Sequence, residues 1–197
     1  KHSDVPIITF TGGTETGKKI TSNAASKLKK ISLELGGKNP NIIFDDADLG
    51  IALKNSVKSS FLNQGQICLC GSRIYVQDTI YDKFKTQFLA KVIKLEVGDP
   101  TQNKNDLGAV ISKEHLNKIL NYINIAKNEG GKILVGGKQK KIKGKFEQGF
   151  FVEPTVIEGL PISSKVNQNE IFGPVVTLTS FKNEEDLVEL INSTKYG

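Results

Sequence analysis

The stretch Ile7-Ile-Thr-Phe-Thr-Gly-Gly-Thr-Glu-Thr-Gly-Lys-Lys-Ile-Thr-Ser-Asn-Ala-Ala-Ser-Lys-Leu28, with Ile31-Ser-Leu-Glu-Leu35 close behind it, decides the fold class. Ile7 to Phe10 is an apolar run of the length of a short buried strand, and Gly12-Gly13 breaks it. Ile20, Ala24 and Leu28 then recur every four residues, which places them on one face of a helix from about Gly17 to Leu28. Ile31 to Leu35 and Asn41 to Phe44 read as further strands on either side of Gly36-Gly37. A strand, a helix and a second strand in this order make parallel strands joined by a crossover helix.

The same alternation continues outward to the end of the chain. Asp46 or Asp48 is placed to cap a helix through Phe61, with Leu49, Leu53, Val57 and Phe61 in one stripe. Arg73 to Val76 is the next strand. A helix after Asp78 turns Tyr81, Phe84, Phe88 and Val92 inward and stops before Gly98-Asp99-Pro100. Ser112 opens another, carrying Leu116, Ile119, Ile123 and Ala126 as far as Gly130-Gly131. Ile133 to Val135, Phe150 to Val156 and Val175 to Phe181 read as strands, and Asn183 caps a last helix through Ile191. Strands alternating with long helices predict an α/β domain with a mainly parallel sheet flanked by helices.

The 197 residues are 38% hydrophobic and 24% charged, the composition of a soluble globular protein. No apolar stretch approaches the length of a bilayer span or the core of a signal peptide, so no membrane partner is expected. The two cysteines, Cys68 and Cys70, make no disulfide framework and fit a reducing compartment, the cytoplasm. The net charge of +6 is matched by six lysines in one acid-free stretch, Lys132, Lys138, Lys140, Lys141, Lys143 and Lys145, set among Gly131, Gly136, Gly137 and Gly144. Only Phe146 and Phe150-Phe151 lie nearby, too few aromatic rings to stack bases, so the stretch reads as a solvated surface loop and no nucleic-acid partner is expected. The chain starts on Lys1 and stops at Lys195-Tyr196-Gly197, and both ends read as cuts in a longer polypeptide.

Four segments carry chemistry. Gly12-Gly-Thr-Glu-Thr-Gly17-Lys18-Lys19 has the Gly, four residues, Gly, Lys spacing of a phosphate-binding P-loop. Lys19 stands where a Ser or Thr hydroxyl would hold magnesium, and a lysine cannot do that, which counts against nucleotide hydrolysis. Two readings stay open on the pattern: a helix N-terminus that holds a pyrophosphate, or a plain strand-to-helix turn. Cys68 lies in Phe61-Leu-Asn-Gln-Gly-Gln-Ile-Cys-Leu-Cys-Gly-Ser-Arg73, a loop between helix and strand where a nucleophile is exposed yet held. The ordinary alternative is a buried, inert thiol. No metal site is expected, because Cys68 and Cys70 with His2 and His115 isolated fall short of the four ligands zinc takes.

Glu34 stands between leucines in Leu33-Glu-Leu-Gly-Gly-Lys-Asn-Pro40. An apolar setting would raise its pKa and suit a general base; the common fate of a lone strand-end glutamate is to face water. Asn169-Glu-Ile-Phe-Gly-Pro174, read alone, is a Gly-Pro turn ahead of a strand.

In order and in wording, these segments resemble the signatures of the aldehyde dehydrogenase superfamily. Phe10 to Gly17 is similar to its pyrophosphate turn, with Gly13 where serine is common. Leu33 to Pro40 resembles its glutamate signature, and Asn63 to Arg73 its cysteine signature, with Cys68 in the nucleophile's place and Cys70 a structural neighbour. Asn169 to Pro174 resembles the segment that meets the nicotinamide end of the cofactor. The resemblance implies the family's catalytic-domain fold and oxidation of a small-molecule aldehyde to a carboxylic acid with NAD, or NADP. Cys68 would be the nucleophile and Glu34 the base that activates water. Thr11, Gly12, Gly13, Gly17 and Leu35 would meet the cofactor, Glu170 its nicotinamide ribose and Phe172 the nicotinamide. Ile67 to Arg73 is most similar to the branch that oxidises muconic semialdehydes.

The resemblance further implies that residues 1–35 end a dinucleotide-binding domain and residues 36–197 form an incomplete catalytic domain. The full-length protein would be a homo-oligomer, and this portion alone would be inactive. A non-catalytic structural module and a P-loop nucleotide-binding protein are the competing readings.

Overall fold

The computed structural model describes residues 2–196; Lys1 and Gly197, at the two expected cuts, lie outside the described residues. The chain divides into two compact units, Lys1–Gly37 and Lys38–Gly197.

In the first unit β1 (Ile7–Gly12), α1 (Thr14–Ala25) and β2 (Lys30–Leu35) form the expected strand–helix–strand, with β1 and β2 parallel from Ile7 opposite Lys30 to Gly12 opposite Leu35. The helix, however, starts and ends three residues earlier than its apolar spacing predicts. Ala24 is buried on its inner face, but Leu28 lies past the end, 93% exposed and in the left-handed region at φ 50°. A four-residue spacing cannot tell a helical position from one just beyond the last turn. The early start also removes the P-loop reading, since the residues that would wrap a phosphate are already helical.

The second unit is built on a five-stranded sheet. Its first members are β3 (Pro40–Ile43), α2 (Leu49–Phe61), β4 (Arg73–Gln77), α3 (Asp78–Val92) and α4 (Lys113–Asn128). There follow β5 (Lys132–Val135), β6 (Gln139–Lys140), β7 (Phe151–Val152), β8 (Thr155–Glu158), α5 (Lys165–Gln168), β9 (Val175–Phe181) and α6 (Glu184–Ile191). Strand order is β3-β4-β9-β8-β5, parallel throughout except for β5, which runs antiparallel to β8. The helix starts are chemical. Asp48, Ser112 and Asn183 each accept a hydrogen bond from a backbone N–H one turn into α2, α4 and α6.

Two expectations need correction. The single strand over Phe150 to Val156 is two strands, because Pro154 has no N–H to give a ladder; β7 pairs with β6, and β8 joins the main sheet. The lysine stretch is not wholly loop: its six lysines are exposed, but Lys132 opens β5 and Lys140 ends β6.

Helices cover both faces of the sheet, as parallel strands require. On one face Ile74, Val76, Val176 and Leu178 pack with Leu53 and Phe61 of α2 and Phe84, Phe88 and Val92 of α3. Phe88 stacks on Phe84 at 5.6 Å and on Phe61 at 6.4 Å. The alternate residues face the other way, Val175 toward α4 through Ile119 and Ile123, and Tyr75 and Phe181 toward Leu187 of α6. The loops at the start of β4 and β9 hold the segments with Cys68 and with Glu170 and Phe172, and Lys38 and Asn39 lie at the start of β3.

Candidate active site

After α2 the chain makes a left-handed turn, Asn63, Gln64 and Gly65 having φ of 50°, 57° and 67°. Two of these are not glycine, and each such residue costs roughly 1–2 kcal/mol, a strain of the kind that gathers at functional loops. The third must be glycine: a Cβ on Gly65 would come within 2.3 Å of the Gly173 carbonyl oxygen. That close approach seats the cysteine loop against the Glu170-Ile-Phe-Gly-Pro174 segment, so the structure brings these two distant motifs together.

Ile67 to Cys70 then closes a tight turn, with Cys70 N–H donating to Ile67 O at 3.0 Å. Cys68 occupies its first corner and is exposed; Cys70 is buried. The Cys70 thiol donates to Ser60 O at 3.3 Å. Burial pushes it up to about 11, the Lys38 charge pulls it back and the Glu170 carboxylate raises it further. A thiol held that way is neutral at physiological pH and a poor nucleophile.

Arg73, two residues past Gly71, is 2% exposed. Its guanidinium donates to Lys38 O at 2.8 Å, to the Tyr75 hydroxyl at 3.1 Å, and to Leu190 O and Ile191 O at 3.1 and 3.0 Å. It thereby ties the start of β4 to the segment before β3 and to the negative end of α6. Beside it Lys38 is buried with an ammonium nitrogen that makes no hydrogen bond among the described residues. Burial lowers its pKa to about 7, while Cys70 and Glu170 pull it up and Arg73 and Lys118 push it down.

Glu170 and Phe172 follow α5. Phe172 has φ 61°, and its carbonyl lies 2.5 Å from His115 Nε2, with the two rings edge to face at 6.2 Å. Lys118, one turn along α4, is exposed at the surface; desolvation lowers its pKa and the Glu170 carboxylate raises it. Tyr122, a further turn along, is partly buried; burial raises its pKa and the nearby Asn169 side chain lowers it. One face of α4 therefore supports the whole 169–172 segment. Sequence reading treated His115 as isolated and gave Lys118 no role. The available signal was their spacing of three and four residues beside the apolar stripe.

The remaining predicted residues lie in the first unit. Gly13 precedes α1 and no side chain caps that helix. Gly17 lets α1 lie close to β2, since a Cβ there would meet Leu35 Cδ2 at 2.8 Å. Thr11 and Gly12 end β1 opposite Glu34 and Leu35. Glu34 is exposed, which corrects the expectation of an apolar setting: along β2 exposed and half-buried residues alternate, so Leu33 and Leu35 face away from it. Among the described residues no His, Cys, Asp and Glu side chains gather as metal ligands, and no helix is long and apolar enough to cross a membrane.

This parallel α/β sheet, with an exposed cysteine seated on a Glu-Ile-Phe-Gly-Pro segment, is that of a known class. The model for the aldehyde dehydrogenase family matches residues 1–197, and the chain belongs to that family. It is 46% identical over 198 residues to 2-aminomuconic semialdehyde dehydrogenase of Danio rerio, covering 100% of this chain and 41% of that one. It is 42% identical over 196 residues to betaine aldehyde dehydrogenase of Bacillus subtilis (strain 168), covering 100% and 40%. A crystal structure of Staphylococcus aureus betaine aldehyde dehydrogenase in complex with NAD+ superposes with a TM-score of 0.94 at 45% identity, over 100% of this chain and 39% of that one. The chain thus spans about two fifths of the length of these relatives.

Proposed function

We propose that the protein containing this chain oxidises an aldehyde to a carboxylic acid with NAD+, through a covalent adduct on Cys68. The observation that carries this is the contrast between the two thiols: Cys68 is exposed at the corner of a constrained turn, while Cys70 is buried and held neutral. The Cys68 thiolate adds to the aldehyde carbon, and the Cys68 backbone N–H helps hold the resulting oxyanion. Loss of hydride from the thiohemiacetal leaves a thioester on Cys68. Glu34 takes a proton from water, which attacks the thioester carbon and releases the acid and the thiol.

The chain's residues fit a dinucleotide. The uncapped N-terminus of α1, after Gly12-Gly13, suits a pyrophosphate. Glu170, whose carboxylate acts on the Lys118 charge, suits the ribose hydroxyls, and Phe172 offers an apolar ring. The nicotinamide, when bound, is the hydride acceptor. NAD+ is favoured because the superposed Staphylococcus aureus enzyme was crystallised with it. NADP+ remains the competitor, since a D-glyceraldehyde dehydrogenase (NADP(+)) of Picrophilus torridus is 40% identical. Residues 1–35 are assigned to the end of the cofactor domain and 36–197 to the catalytic domain of a cytoplasmic homo-oligomer.

The test uses the full-length protein. Cys68→Ala should abolish aldehyde oxidation with cofactor binding kept. Glu34→Gln should give a burst of reduced cofactor and then a much slower steady state, since an amide accepts no proton from water. Turnover retained in Cys68→Ala sinks the assignment. A uniformly lowered rate without a burst in Glu34→Gln moves that residue to thiol activation.

A further inference from the structure

We infer that Asn39 is the positioning residue of the Cys68 turn, its side-chain amide clamping two carbonyls of that turn at once. The inference rests on Cys68 being the nucleophile. Asn39 Nδ2 donates to Cys68 O at 2.7 Å and to Cys70 O at 3.3 Å. Both partners only accept, and one NH2 group has two hydrogens, so the amide orientation is dictated by the carbonyls it meets.

The carbonyl it holds most closely matters most. In the turn from Ile67 to Cys70 the central peptide joins Cys68 to Leu69, and this peptide is the one that flips between the two common turn types. The flipped form needs φ above zero at Leu69, which Leu69 does not have. Asn39 grips the oxygen of that central peptide, which sets the last backbone dihedral of Cys68 and with it the aim of the thiol. Other anchors of the loop act at its ends. Gln66 Oε1 accepts from Ile111 N at 3.1 Å on one side, and Gly71 N donates to Ser59 Oγ at 3.1 Å on the other. Among the described residues Asn39 supplies the side-chain hydrogen bond to Cys68 itself.

Its own base is rigid. Arg73 N donates to Asn39 O at 3.2 Å, and Pro40 is in register with Arg73 in the β3–β4 pair. An amide projecting from a strand edge holds a reacting group better than one on a mobile loop, and a misplacement of about 1 Å costs on the order of 100-fold in rate.

The probe is 4-nitrophenyl acetate, which needs neither cofactor nor the natural aldehyde. The Cys68 thiolate attacks the acetyl carbon, the ester C–O bond breaks, 4-nitrophenolate leaves, and acetyl remains on sulfur. In the full-length protein Asn39→Ala should slow this single acylation roughly 10- to 100-fold. Asn39→Asp, whose carboxylate would repel both carbonyls, should slow it more. Asn39→Ser, which keeps one short donor, should fall between Ala and the parent. Cys70 should stay protected from a thiol reagent and NAD+ affinity should stay within about threefold, neither of which a collapsed loop would allow. Acylation of Asn39→Ala within about threefold of the parent overturns the positioning role, as does labelling of Cys70 in all three variants. If the parent itself is acylated at Cys70, or not at all, the nucleophile assignment fails first and takes the positioning role with it.

Discussion

A buried ammonium with no acceptor is costly, and Lys38 is the residue at which this chain carries that cost. Its folded pKa of about 7 lies below the ordinary 10.5, so the unfolded chain binds the extra proton between those values and stability rises with pH across that window. Below about pH 7 both states are protonated and the full penalty is present. Lys38→Met should therefore stabilise the fold by roughly 1–4 kcal/mol near pH 6, with the gain shrinking toward pH 10. Denaturant melts at the two pH values check this; a gain that grows with pH would contradict it. The two thiols give a second expectation at this scale. A thiol reagent should modify Cys68 in the folded protein and reach Cys70 only after denaturation; equal labelling would remove the contrast on which the mechanism rests. The exposure of Cys68 was legible from its loop, whereas the burial of Lys38 and the reach of Asn39 were not. Both residues sit inside the glutamate signature, and only the fold shows that one is buried and the other reaches the cysteine turn.

At the scale of elements, apolar periodicity and capping chemistry located α2, α4 and α6 within a residue or two, because both signals are local; α3 starts where expected but ends at Val92, short of the Gly98 stop. The stripe on α3 is also the centre of the larger core. Phe88 is 0% exposed and stacked between two other rings, so Phe88→Ala should cost about 3–5 kcal/mol in denaturant unfolding. Ser112 caps α4 through His115 N at 3.1 Å. Ser112→Ala should cost about 1 kcal/mol, and an unchanged midpoint would show that cap to be idle. Where local signals missed, a specific competitor won. The start of α1 at Thr14 overrode its glycine-rich sequence, and Pro154 divided one apolar run between two sheets.

For the molecule as a whole, the chain spans about two fifths of its relatives, and hydride transfer requires nicotinamide and substrate to be held in register. The isolated chain, given a small aldehyde and millimolar NAD+ or NADP+, should reduce cofactor at less than about one hundredth of the full-length rate. Turnover near that of the full-length protein would mean that everything needed for cofactor binding lies within these residues.

By itself the sequence determined the α/β class, the alternation of strands and helices, the family and the exposed cysteine loop, since each is written in short-range patterns. Tertiary structure alone decided the strand order, which face of β2 carries Glu34, the burial of Arg73 and Lys38, the hold of His115 on Phe172 and the reach of Asn39 to Cys68. Those contacts join residues from about 30 to 120 positions apart. They exist only because burying both faces of the sheet brings the starts of β3, β4 and β9 together, and no window of sequence contains that event.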